Sequence, residues 1–162
     1  MKSIGIWIVI AAIAYFVVSL QQADRDEAGA IIAAGNIDAF KIQVGDCYND
    51  EAAAQITEER EEVTGVAGLP CAEPHDNEVF AVFNTSLTEF PGTDEMSSLA
   101  FEECLGRFDS FVGAKYEDSQ LDITVMYPTS ESWKQLTDRE IVCALYNLDL
   151  AKLEGGMRNS KI

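Results

Sequence analysis

The sequence predicts an α+β domain: a small antiparallel sheet with one main packed helix and two disulfides, preceded by a single transmembrane helix. Three observations predict it. Short strand-like runs occur in pairs suited to antiparallel pairing, with no regular alternation of strand and helix. One long stretch, residues 93–112, carries apolar side chains at helical spacing. Four cysteines, all downstream of an apolar leader, sit in a chain of 162 residues, the length of one domain.

The leader comes first. Residues 4–20 are 17 positions without a charge, and the uncharged run reaches 20 residues at Ala23. As a helix it spans roughly 30 Å, the thickness of a hydrocarbon core. Lys2 precedes it, and Asp24, Asp26 and Glu27 follow it against Arg25 alone. The positive end stays in the cytoplasm, so the remainder is expected outside, with membrane lipid around the N-terminal helix. The alternative is a secreted protein freed by signal cleavage. A signal peptide has an apolar region of about 7 to 15 residues, shorter than this one. Its passable cleavage triplet, Val17-Val18-Ser19, also lies inside the apolar run. The domain organisation read this way is an anchor over 1–23, a juxtamembrane helix or stalk over 24–36, an extracytoplasmic domain over 37–148, and an exposed basic tail over 149–162.

Residues 24–34 have helical composition, with Asp24 as a cap and Gly35 as a stop. Residues 37–44 alternate as a strand, and Gly45-Asp46 turns the chain into Cys47. Residues 51–62 crowd Glu58, Glu59, Glu61 and Glu62 together, which suits a solvated loop or short helix. Strands are expected at 63–71 and 78–84, separated by a turn at Pro74-His75-Asp76-Asn77. The helix over 93–112 places Met96, Ala100, Cys104, Phe108 and Phe111 on one stripe. Thr93 or Asp94 is expected to cap it and Gly113 to end it. A strand over 121–127 stops at Pro128, a short helix or loop holds Trp133, and a last strand over 139–148 points Ile141, Cys143 and Leu145 one way. The tail gathers Lys152, Arg158 and Lys161 among glycines.

Charge excludes several functions. Eleven Lys and Arg oppose 28 Asp and Glu, for a net of −17. Nucleic acid is excluded as a partner, because it requires a basic footprint. Docking on anionic headgroups is disfavoured for the same reason.

Cys47, Cys71, Cys104 and Cys143 form an even set in a small exported domain, which reads as two disulfides. Their spacings of 24, 33 and 39 lack the tight pairs of a zinc site, so no metal and no cofactor is expected. Four cysteines allow three pairings, and spacing does not choose among them. The faces favour Cys104 with Cys143, since both point inward, which leaves Cys47 with Cys71.

The densest polar cluster surrounds His75, the one histidine, with Asp76 and Glu78 beside it. A base oriented by a carboxylate serves hydrolases. Here no Gly-x-Ser-x-Gly elbow accompanies it, and the cysteines are committed to disulfides. The expectation is a turn held by His75 and no enzyme. Pro74, His75, Asp76, Glu78 and Trp133 are the candidate contacts for a protein partner in the membrane or envelope. An envelope hydrolase with His75 as base, or a cation-responsive sensor, is the alternative.

The order of motifs completes the reading. Val44-Gly45-Asp46-Cys47-Tyr48 is followed by a C-x-x-P-H-x-x-E-V element running from Cys71 to Val79. Then come Cys104, Tyr127-Pro128-Thr129, Trp133, and Asp138-Arg139-Glu140-Ile141-Val142-Cys143. Over residues 41–158 this resembles the actinobacterial septum-formation domain family. The resemblance implies an envelope protein with a membrane segment, loosely linked to cell division and without known catalysis. Where the family pattern implies a glycine before Asp138, this chain has Thr137.

Overall fold

The computed structural model describes residues 22–50 and 64–162. The expected membrane span and the acidic segment 51–62 lie outside these. Among the described residues no helix is long and apolar enough to cross a membrane.

The fold is α+β and every pair of strands in its sheets is antiparallel. A two-stranded hairpin, β1 (Asp24–Arg25) and β2 (Ile31–Ala33), precedes a six-stranded sheet. That sheet contains β3 (Gly35–Asp38), β4 (Cys47–Asn49), β5 (Gly65–Leu69), β6 (Asn77–Asn84), β7 (Leu121–Met126) and β8 (Glu140–Asn147), in the order β3-β5-β4-β6-β8-β7. Helix α1 (Thr93–Val112) packs on one face, and a short α2 (Ser130–Gln135) joins β7 to β8.

Helix α1 forms where its periodicity places it. Met96, Ala100, Cys104, Phe108, Phe111 and Val112 are its buried residues. All of these but Met96 join Phe80, Leu121, Ile123, Ile141, Cys143 and Leu145 of the sheet in one core cluster. Its end is as expected: Gly113 takes the left-handed conformation (φ 80°) and donates its N–H to Asp109 O. Its start is not. Gly92 occupies the N-cap position without a side-chain bond, and Asp94 and Glu95 fall in the first turn, where their charge favours the helix dipole.

The opposite face is buried too. Ile31, Ile37, Ile42, Tyr48, Val79, Val142 and Ala144 make a second cluster. β6 serves both faces through a bulge. Its register to β8 shifts between Val79 and Ala81, so Val79 joins the second cluster while Phe80 and Ala81 join the first.

Three expectations are corrected. Residues 24–34 are a hairpin, not a helix. The Asp26 carboxylate accepts from the N–H groups of Ala28 and Ala30 at 2.9 Å each, and Gly29 sits at φ 89°. That turn chemistry prevails over helical propensity. The strand expected over 37–44 ends at Asp38, whose side chain accepts from Phe40 N and starts a 3-10 turn over Ala39–Lys41. The segment 149–162 is not an exposed tail. Leu153 and Met157 are 3% and 5% exposed, and the N–H groups of Asn159 and Lys161 donate to the carbonyls of Phe111 and Val112 at the end of α1.

The chain reversal expected at 74–77 also moves upstream. Glu73 N donates to Pro70 O, while His75 pairs with Leu153 as an isolated antiparallel bridge.

Candidate functional site

Both disulfides join the pairs that the residue faces favoured. Cys104 of α1 bonds to Cys143 of β8, which ties the helix to the sheet. Cys47 opens β4 and bonds to Cys71, just beyond β5. Cys47 stands opposite Glu78 in the ladder between β4 and β6. The G-D-C element and the C-x-x-P-H-x-x-E-V element therefore meet in space.

His75 lies beneath this disulfide with no solvent exposure. Its backbone N–H donates to Leu153 O at 3.1 Å, and Leu153 N donates back to His75 O at 2.7 Å. Its Nδ1 lies 2.7 Å from Glu73 O. A carbonyl only accepts, so Nδ1 carries a hydrogen. Nε2 is buried without a hydrogen-bond partner among the described residues. Glu78 is 3% exposed and accepts from the backbone N–H of Met157. Burial pushes its carboxyl up from the usual range, while the Met157 N–H and the nearby Arg158 pull it down.

Ligand atoms of Cys47, His75 and Glu78 lie within 4.8 Å of one another. The Cys47 sulfur is committed to Cys71, however, and a metal ligand is a thiolate. One imidazole nitrogen and one carboxylate remain, fewer than the three protein ligands of a catalytic zinc site.

The five candidate contacts divide. His75, Glu78 and Trp133 are buried and present no side chain to a partner. Pro74 is exposed and Asp76 half-buried. Asp76 fastens its surroundings: one carboxylate oxygen lies 2.7 Å from Lys152 Nζ and the other accepts from Asp50 N at 3.0 Å. Trp133 lies under Arg139, whose guanidinium sits 3.4 Å from the ring centroid. Thr129 and Ser132 form a capping box at the start of α2, and Asp138 accepts from Ser132 Oγ and Glu140 N. The Tyr-Pro-Thr, Trp and Asp-Arg-Glu motifs thus form one self-bonded corner. Within it, Thr137 adopts φ 57°, the left-handed region in which glycine is at ease.

Sequence reasoning missed the open surface. Two clefts of about 780 and 830 Å³ flank the end of β7, and Val125 and Met126 line both. The first is bordered by Phe40 and Leu136, which are 55% and 60% exposed. The second runs over the small residues Gly65, Ala67 and Gly68. Among the described residues every charged one lining them is an acid: Asp38, Asp138 and Glu140 in the first, Asp50 and Glu73 in the second. No local motif marks this surface, because strands distant in sequence build it. The exposed Phe40 within an otherwise alternating run is the one local sign.

These features define a disulfide-stapled α+β domain with two buried sheet faces and an open, acid-lined groove beside an edge strand. Its cysteine frame and its self-bonded corner are built from the motifs that run through residues 44–159. Over those residues the chain matches the family described as Septum formation, and it belongs to that family. No curated protein and no solved structure matches it.

Proposed function

We propose that this protein is a single-pass membrane protein whose extracytoplasmic domain acts by binding a protein partner in envelope or septum assembly, rather than by catalysis. Membership of the septum-formation family supports the cellular context. Two disulfides among the described residues support an oxidising compartment. The apolar run over 4–20 supports the tether. The observation that carries the binding role is the groove: exposed Phe40 and Leu136 border a cleft of about 780 Å³ next to a strand edge that is unpaired among the described residues. A hydrolytic or sensing role for His75 has less support, because its ring is fully buried.

The test is photocrosslinking in intact membranes, with a benzophenone side chain at position 40 or 136. Leu150 is the control, being 80% exposed and lining neither cleft. A discrete adduct from 40 and 136 but not from 150 is expected. Equal adducts from all three, or none, would overturn the binding role. Intact mass of the extracted protein reads the tether: retention of residues 1–20 is expected, and their loss would make the protein a secreted one.

A further inference from the structure

We propose that the groove takes an extended polypeptide segment bearing lysine or arginine, which joins the sheet as a further strand beside β7. This rests on the binding role above and names the chemical class of the partner.

Among the described residues β7 is an outer strand, hydrogen-bonded to β8 alone. Its free edge is unevenly protected. Leu121 N–H donates to Ser119 Oγ at 3.0 Å, and Ile123 N–H donates to the Asp122 carboxylate at 2.7 Å. Alternation along a strand puts Val125 on that same edge. Among the described residues no side chain takes its N–H. Local caps of this kind keep edge strands from pairing at random. Here they cover two of the three edge N–H groups and stop short of Val125, which lines both clefts. A strand paired at Val125 sends its side chains alternately to two faces, beside the clefts that Val125 and Met126 line.

Charge selects the occupant. Among the described residues five carboxylates line the two clefts, and no Lys, Arg or His does. Glu140 and Glu73 have no charged partner among the described residues. Burial and the neighbouring Asp138 push the Glu140 carboxyl upward. A cation beside it relieves the repulsion and meets the carboxylate that burial disfavours. A second copy of this chain, with its net charge of −17, brings the wrong sign.

The experiment uses the full chain in mild detergent and fluorescence anisotropy. The probe is a short labelled peptide of alternating lysine and valine. Two comparison peptides replace lysine by glutamate, or N-methylate alternate amides so that the charge stays and the ladder cannot form. The lysine peptide is expected to bind saturably, with both comparison peptides weaker by roughly tenfold or more. Glu140→Lys is expected to weaken the lysine peptide by a similar factor, and Val125→Pro removes the edge N–H with the charges intact. If Val125→Pro does not fold, the N-methylated peptide still decides the matter. Equal binding of the N-methylated peptide overturns strand addition, and equal binding of the glutamate peptide overturns charge selection. No binding by any peptide, with crosslinking at position 40 intact, overturns this partner class and leaves the binding role standing. Loss of the crosslinks as well overturns both.

Discussion

The carboxylate of Glu78 accepts a hydrogen bond from the backbone N–H of Met157, 79 residues further along the chain and inside the protein. The contact holds the C-terminal segment over the disulfide between Cys47 and Cys71. It also places a carboxylate where burial disfavours its charge.

Removing the acceptor and removing the charge therefore have different outcomes. Glu78→Ala leaves the Met157 N–H buried without a partner and is expected to cost about 2 kcal/mol. Glu78→Gln keeps a carbonyl acceptor and removes the charge. A carboxyl raised in the folded state contributes stability at acidic pH, and loses it as pH rises through the folded value. Urea titrations from acidic to neutral pH should thus show Glu78→Gln gaining on the native protein as pH rises. Parallel curves would show that burial does not disfavour the Glu78 charge.

Arg25 and Asp46 make the corresponding link at the N-terminal side. Arg25 Nη2 lies 2.7 Å from Asp46 Oδ2, and the Asp46 side chain is 3% exposed. Arg25→Ala leaves a buried carboxylate without its counter-charge. The expected cost is about 3 kcal/mol, with faster amide exchange over Asp24–Ala33. Unchanged exchange there would mean that Ile31 packing holds the hairpin without the ion pair.

Thr137 is the place where substitution is expected to help. A β-branched residue at φ 57° carries a steric cost that glycine lacks. Thr137→Gly should raise stability by about 1 kcal/mol in urea denaturation, less the extra freedom of glycine in the unfolded chain. A loss of stability would mean that contacts of the Thr137 side chain outweigh the strain.

The two disulfides are expected to open in order. Cys104 and Cys143 are both fully buried, whereas Cys71 is partly exposed. Limited treatment with a dithiol, followed by alkylation and peptide mapping, should label Cys47 and Cys71 first. Complete loss of the pair Cys104 and Cys143, by alanine substitution, is expected to cost about 4 kcal/mol in the chain-entropy account. Simultaneous labelling of all four would mean that the whole domain unfolds before either bond is reached.

Much of the frame was legible where local pattern and burial coincide. The stripe from Met96 to Phe111 determined a helix, its end at Gly113 and the inward direction of Cys104. β7 and β8 followed from alternation, and β6 from a short apolar run, each within a few residues of its ends. The misread parts are those in which a side chain or a distant segment decides. Asp26 converts a helix-rich composition into a hairpin by accepting two backbone N–H groups. The segment around Leu153 and Met157 is polar by composition, and its backbone bonds go to His75, Cys71, Phe111 and Val112. The motif residues around His75 were legible as a cluster, but not their depth. The groove was not legible beyond the one sign of Phe40, because β3, β7 and α2 meet only in three dimensions.

The hairpin has a mechanical consequence. Gln22 bridges to Asn36, Ala23 N donates to Asn36 O, and Arg25 grips Asp46 beside Cys47. A pull arriving at Gln22 is therefore carried into the six-stranded sheet through Asn36 and through the Arg25–Asp46 ion pair. Beyond the ion pair, the covalent bond between Cys47 and Cys71 bears the load. Force entering at Gln22 reaches the same sheet whose outer edge lines the groove.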